Sequence, residues 1–152
     1  MNQINEQYVV FGVNNSLYGI PIQEVSEIIR FQMVNWIPNS REEFLGIINL
    51  RDKVIPIISL HRIFLEAEKE LDSKTRVIVL HNSGKDIGIV VNEVDRVMFL
   101  PSQHISPPPH FTQNSWITGV YHQQNTIIAV LNLESLLRNI DVEPYRETER
   151  CD

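Results

Sequence analysis

The chain repeats itself, and that repeat limits the folds open to it. Shifting the first part by 69 positions lays "YGIPIQEVSEII" (18–29) on "IGIVVNEVDRVM" (87–98), with Gly19 on Gly88, Glu24 on Glu93, Val25 on Val94 and Ile28 on Val97. The preceding "YVVF" (8–11) falls on "VIVL" (77–80) at the same offset. A shift of 73 lays "GIINLRDKVIPIISLHRIF" (46–64) on "GVYHQQNTIIAVLNLESLL" (119–137) without a gap. Between the two alignments the second copy gains four residues, in or near "SPPPHF" (106–111).

Each unit reads as strand, turn, strand with a Glu-Val step, connector, Gly-led strand, turn, strand and short helix. The strand segments are short, rich in β-branched residues and bounded by Asn, Ser, Gly and Pro. "DIGIVVNEVDRVMFL" (86–100) reads as one long strand segment. "NNS" (14–16) and "NSGKD" (82–86) are hairpin turns, where Asn and Gly tolerate positive φ. Helices are predicted over 59–71, from a Ser59 cap, and over 133–140; "PNSREEFLG" (38–46) predicts one helical turn ended by Gly46. Four or five short strands per unit suit a small closed barrel, since closure removes exposed edges. The expected architecture is mainly β: two five-stranded, SH3-like barrels back to back, from repeats at about 8–64 and 77–137. One domain spans 8–138, with terminal tails at 1–7 and 139–152, and the charged stretch 65–74 is the natural bridge between the barrels.

Composition narrows the functions. A net charge of −6 argues against nucleic acid, because phosphate binding needs a basic face. No unbroken apolar run is long enough to span a bilayer, and "MNQINEQ" lacks the build of a signal peptide, so a cytoplasmic protein is expected. The single cysteine, Cys151, has no partner for an internal disulfide. His61, His81, His104, His110 and His122 are scattered and form no close metal pair, so no metal or cofactor is expected. Glu24, Glu27, Glu93 and Asp95 follow strands and read as solvated ends. Trp36 and Trp116 each sit beside an apolar run and read as core or rim filler.

The turn "RDK" (51–53) raises a separate question. Arg51, Asp52 and Lys53 fall on Gln124, Asn125 and Thr126 of the second copy, so folding needs the turn but not its charges. "FGVNNSLYGIPIQEVSEIIR", "FLGIINLRDKVIPIISLHRIF", "DIGIVVNEVDRVM" and "WITGVYHQQNTIIAVLNLESLL" together resemble the CheW family of bacterial chemotaxis adaptors, over about residues 8–138. The resemblance implies two five-stranded barrels about a shared core and no enzymatic activity. It implies coupling of the cytoplasmic tip of a chemoreceptor to the regulatory domain of a CheA-like histidine kinase, in receptor arrays at the membrane but without insertion. An adaptor for a pilus or gliding array is the alternative, and a small β-barrel enzyme using His or carboxylates is a third reading, which the scattered histidines disfavour.

By the same resemblance the partner-binding positions are Val25, Glu27, Ile28, Gly46, Arg51, Val77, Gly88 and Val94. Val25, Val77 and Val94 equally suit a core, and Gly46 and Gly88 suit a backbone requirement better than direct contact. Arg51 is the strongest candidate, because a hairpin-tip guanidinium has little structural work and its fork of donors suits a carboxylate. The sequence departs from the family in two places. Asp52 stands where Gly is common, with a carboxylate that would partly neutralise Arg51, and Ser59 stands where Asp is common, keeping a capping oxygen without the charge.

Overall fold

A computed structural model describes residues 7–64, 66–68, 70–82, 84–109 and 116–140. The strands are β1 (Gln7–Val13), β2 (Ser16–Pro21), β3 (Val25–Arg30), β4 (Phe44–Leu50), β5 (Lys53–Ser59), β6 (Arg76–Asn82), β7 (Lys85–Val91), β8 (Glu93–Phe99), β9 (Ile105–Ser106), β10 (Ile117–Gln123) and β11 (Thr126–Leu131). Helix α1 is Leu60–Ile63 and α2 is Leu133–Ile140. The strands form one sheet in the order β8-β1-β2-β11-β10-β9 and another in the order β3-β6-β7-β5-β4. The mainly β, two-subdomain architecture expected from sequence is present. Neither sheet closes on itself through a strand pairing among the described residues.

The sequence repeats and the sheets do not coincide. The first repeat places β1 and β2 in one sheet and β3, β4 and β5 in the other; the second divides its strands the opposite way. Each sheet is therefore assembled from both halves of the chain. The chain changes sheets at the 3-10 turn Ile22–Glu24 and at Asn92, which splits the expected 86–100 segment into β7 and β8. The stretch 65–74 does not bridge the two sheets as anticipated, because β5 before it and β6 after it lie in the same sheet.

Side-chain alternation along the strands builds three apolar layers. Val9, Phe11, Val13 and Ile20 meet Ile78, Leu80, Ile87 and Ile89 in a core between the sheets, joined by Leu60, Leu133 and Leu136 of the helices. The opposite faces line each sheet's own interior. Ile48, Ile55, Ile57, Val77 and Val79 fill one; Val10, Leu100, Tyr121 and Ile128 fill the other. Strands β1 and β6, buried on both faces, therefore read as nearly continuous apolar runs.

Helix α2 matches its prediction, whereas α1 is much shorter than 59–71. Ser59 Oγ does accept from Arg62 N at 3.3 Å, so the cap is real. After Phe64 the apolar periodicity ends and tertiary contacts take over. Glu68 pairs with Arg62 at 3.3 Å and accepts from Ser59 Oγ at 3.1 Å, while Glu66 accepts from Asn14 Nδ2 at 2.8 Å. These contacts outweigh the helix propensity of the Glu- and Lys-rich stretch. The helical turn expected over 38–46 is also absent: those residues form turns, and Gly46 lies within β4.

The four-residue insertion divides into two parts. Asn35 bridges to Ile47 on β4 as Ser106 of β9 pairs with Val120 on β10. The equivalent strand positions Ile28 and Val97 are 69 apart, Asn35 and Ser106 are 71 apart, and Ile47 and Val120 are 73 apart. Two residues thus enter before the connector pairing and two after it, the latter near "SPPPHF", of which His110 and Phe111 lie outside the described residues.

Candidate docking surfaces

One end of the five-stranded sheet carries a chain of charges across four of its strands and the β4–β5 turn. Register places His81 on β6 opposite Asp86 on β7, and their side chains meet with Nδ1–Oδ1 at 2.5 Å. Asp86 Oδ2 also accepts from Lys53 Nζ of β5 at 3.4 Å. Past Lys53 the chain enters the two-residue turn Arg51–Asp52, and Arg51 forms an ion pair with Glu27 on β3. Since β3 lies at one edge of this sheet and the β4–β5 hairpin at the other, side-chain charge joins the two edges that backbone pairing leaves apart. His81, followed by desolvation in the opposing direction and then by Lys53, sets the Asp86 carboxyl below its ordinary range.

The turn itself is strained. Arg51 has φ 52° and Asp52 φ 68°, the left-handed pair a two-residue hairpin needs but L side chains disfavour. Asn49 Oδ1 stabilises it by accepting from Asp52 N at 3.1 Å. The carboxylate that neutralises Arg51 is Glu27, not Asp52 as anticipated. Asp52→Gly is therefore expected to relieve left-handed strain and stabilise the fold by about 0.5–1 kcal/mol, a rise in Tm of roughly 1–4 °C. Scanning calorimetry of the two proteins checks this; a lower Tm would show that Asp52 contributes more than its backbone strain costs.

Seven of the eight sequence-predicted partner positions belong to the five-stranded sheet or its turn; Val94 alone lies in the other sheet, on β8. Glu27 and Ile28 are accessible on β3, beside Arg51. Val25 and Val94, equivalent in the repeat, both pack partly against the shared core. Val94 also lines a hollow with Lys74, Arg76 and Glu93. Val77 is buried in the sheet's own interior, and Gly88 lies against it: a Cβ at Gly88 would stand 2.6 Å from Ile57 Cδ1 and 2.8 Å from Val77 Cγ1. Gly46 is buried with φ 145°, where the connector backbone crosses β4. Val77, Gly88 and Gly46 thus shape the scaffold beneath the accessible positions.

Sequence reasoning named Ile28 but missed Val54, Val97 and Ile127, which belong with it to a set of exposed apolar strand positions. Ile28 on β3 and Val54 on β5 are exposed, and so are their repeat equivalents Val97 on β8 and Ile127 on β11. Val54 and Ile127 are each 60% exposed, large values for aliphatic residues inside strands. Phe99 on β8 and Met33, Trp36 and Ile37 of the connector add further exposed apolar area, so Trp36 is not core filler. Trp116 does pack, stacking on Phe64 at 6.0 Å at the end of a stack running through Tyr18 to Phe11. For Val54 and Ile127 a signal was present: in both copies an apolar residue recurs after the polar turn.

Among the described residues, the remaining titratable groups do not gather into a reaction centre. His61 is buried and its Nε2 lies 3.2 Å from Asn92 Oδ1. His104 stands edge-on to Tyr121. Among the described residues no three His, Cys, Asp or Glu side chains come together as metal ligands. No helix among them is long and apolar enough to cross a membrane. Glu24, half-buried with an Oε1 lacking a hydrogen bond, has its carboxyl raised by burial and then by Glu134 of α2.

A raised carboxyl means that the folded state binds the proton more tightly than the unfolded one. Stability therefore falls as pH rises through the Glu24 titration, and the cost is fully present above it. Glu24→Gln is expected to raise stability at neutral pH, by under about 1 kcal/mol given solvent screening, and to flatten this part of the pH profile. Thermal melts from pH 4 to 8 check it; an unchanged profile would show that the buried charge is already compensated.

Comparison with known proteins agrees with this geometry. The CheW-like domain family matches residues 7–141. The chain is 31% identical over 137 residues to the chemotaxis protein CheW of Klebsiella aerogenes, covering 88% of this chain and 82% of that one. It is 30% identical to the CheW of Treponema pallidum, covering 94% and 88%. Protein FrzA of Myxococcus xanthus is 25% identical over 104 residues, 68% of this chain and 65% of FrzA. The crystal structure of the scaffolding protein TtCheW from Thermoanaerobacter tengcongensis superposes with a TM-score of 0.79 at 29% identity, over 84% of this chain and 89% of that one. With the duplicated β-scaffold, the paired exposed positions and these matches together, the chain belongs to the CheW family of chemotaxis scaffold proteins, which are not enzymes.

Proposed function

We propose that this protein is an adaptor that couples the cytoplasmic tip of a chemoreceptor to the regulatory domain of a CheA-type histidine kinase, in the cytoplasm at membrane-associated arrays. The observation that carries this reading is the recurrence of exposed apolar residues at equivalent strand positions, Ile28 and Val54 on one sheet and Val97 and Ile127 on the other. An exposed aliphatic residue costs solubility unless something covers it, and two related sets suit a protein that docks on two sides. Arg51 and Glu27 border the first set, and the guanidinium there suits a partner carboxylate. The similarity to FrzA favours, as a second reading, the same adaptor chemistry in an array governing gliding; the kinase that binds separates the two.

The test is reconstitution of the whole protein with a CheA-type kinase and a receptor cytoplasmic fragment at micromolar concentrations, read by sedimentation. A ternary complex requiring this protein is expected. Failure of either partner to bind, with the protein folded, removes the proposal.

A further inference from the structure

Asp86 holds a central place in the charged rim, because β7 lies between β6 and β5 and its carboxylate divides between them. Oδ1 meets His81 Nδ1 at 2.5 Å, and Oδ2 meets Lys53 Nζ at 3.4 Å. The first contact is tight and the second long, so the imidazole has the stronger hold on a carboxylate that both cations can use. His81 and Lys53 project largely into solvent, while Asp86 beneath them is mostly covered. Lys53 adjoins both Arg51's turn and the exposed Val54.

We propose that His81 gates the charge of the Arg51–Lys53 rim, so that this docking surface is more cationic, and holds an acidic partner more tightly, when His81 is protonated. The inference rests on the adaptor reading above and adds a means of regulating it. With His81 protonated, Asp86 is neutralised from the β6 side and Lys53 is free to face outward. With His81 neutral, the carboxylate charge is left to Lys53, which is drawn back against β7. Imidazole is the side chain that serves most often as a proton-driven switch, so pH is the natural input to this gate. The surrounding charges do not supply the same response. Lys85 lies at the start of β7, Glu27 on β3 is held by Arg51, and Asp52 lies in the turn. Glu24, from the 3-10 turn preceding β3, feels Glu134 of α2. The second copy has no equivalent rim, since Gln124, Asn125 and Thr126 replace Arg51, Asp52 and Lys53.

Two measurements on the full chain test the gate. In lysine side-chain NMR spectra recorded from pH 8 to 5.5, the Lys53 signal is expected to follow the His81 titration in the wild type and to lose that dependence in His81→Gln and Asp86→Asn. A Lys53 signal that ignores pH in the wild type, or moves equally in His81→Gln, overturns the gate. Affinity for the receptor fragment and the kinase is then measured at pH 8 and pH 6. Binding through this rim is expected to tighten about two- to fivefold in the wild type and to stay flat in His81→Gln, the size of effect an exposed charge pair gives. Equal pH dependence in both proteins overturns the link to docking. If neither partner binds at any pH the adaptor reading falls, and the Lys53 spectra still decide the gate.

Discussion

Gly46→Ala is expected to destabilise the fold by about 3–5 kcal/mol, a large fraction of what a domain of this kind has. Two costs add at this position. The residue sits at φ 145°, a conformation L side chains rarely adopt. A Cβ there would stand 2.2 Å from Asn35 O and 2.7 Å from Val34 Cγ1. The first neighbour is backbone and cannot step aside alone, because Asn35 exchanges hydrogen bonds with Ile47 at 2.8 and 2.9 Å. Making room therefore breaks the connector's bridge to β4 and lifts Val34 from the sheet's interior, to which it is packed. Gly119, the equivalent in the second copy, provides the control. Its added Cβ would meet Ile105 Cγ2 at 2.6 Å and Ser106 O at 3.1 Å, with no positive φ to violate. A side-chain methyl can shift, so Gly119→Ala is expected to cost about 1–2 kcal/mol. Urea unfolding of the two variants measures the difference; equal losses would show that the connector crossing does not explain Gly46.

The second large effect is on binding. Val54→Glu and Ile127→Glu each place a carboxylate at a strand position that is 60% exposed in the free protein. Stability should change by less than about 1 kcal/mol, since neither side chain contributes to a core. At the centre of a docked interface the same carboxylate would be desolvated without a partner, which weakens binding by at least about 2 kcal/mol, or roughly 30-fold. Each variant is expected to lose one partner and keep the other, and the lost partners should differ. Titration calorimetry with the kinase regulatory domain and the receptor fragment, taken separately, reads this directly. If both variants bind both partners normally, the exposed aliphatics are not docking positions.

The fold was legible where local pattern and global structure agree. Gly19 and Gly88, Val25 and Val94, and the Gly-led hairpins betrayed the duplication, and duplicated short strands pointed to paired small β-subdomains. The exchange of strands between sheets was not legible, because alternation along "EVSEII" tells which residues face inward but not which neighbouring strand they pair with. The shortened α1 has a similar cause: contacts of Glu66 and Glu68 with Asn14, Ser59 and Arg62 come from segments distant in sequence. At the candidate surfaces, the turn identified Arg51 correctly as a surface group, yet its pairing with Glu27 required the curl that brings opposite edges together. Val54 and Ile127 were marked by their recurrence after a polar turn in both copies, yet their exposure was not legible, because an apolar residue in an apolar strand equally suits a core.

The crossing of the chain at Ile22–Glu24 and again at Asn92 bears on descent. A polypeptide with a single repeat would own β1 and β2 but send its remaining strands away from them. It would be complete only beside a twin that returned the loan. Two such chains, interlocked, would make this molecule, and the segment 65–74 would then be the splice that turned an intertwined homodimer into one gene product.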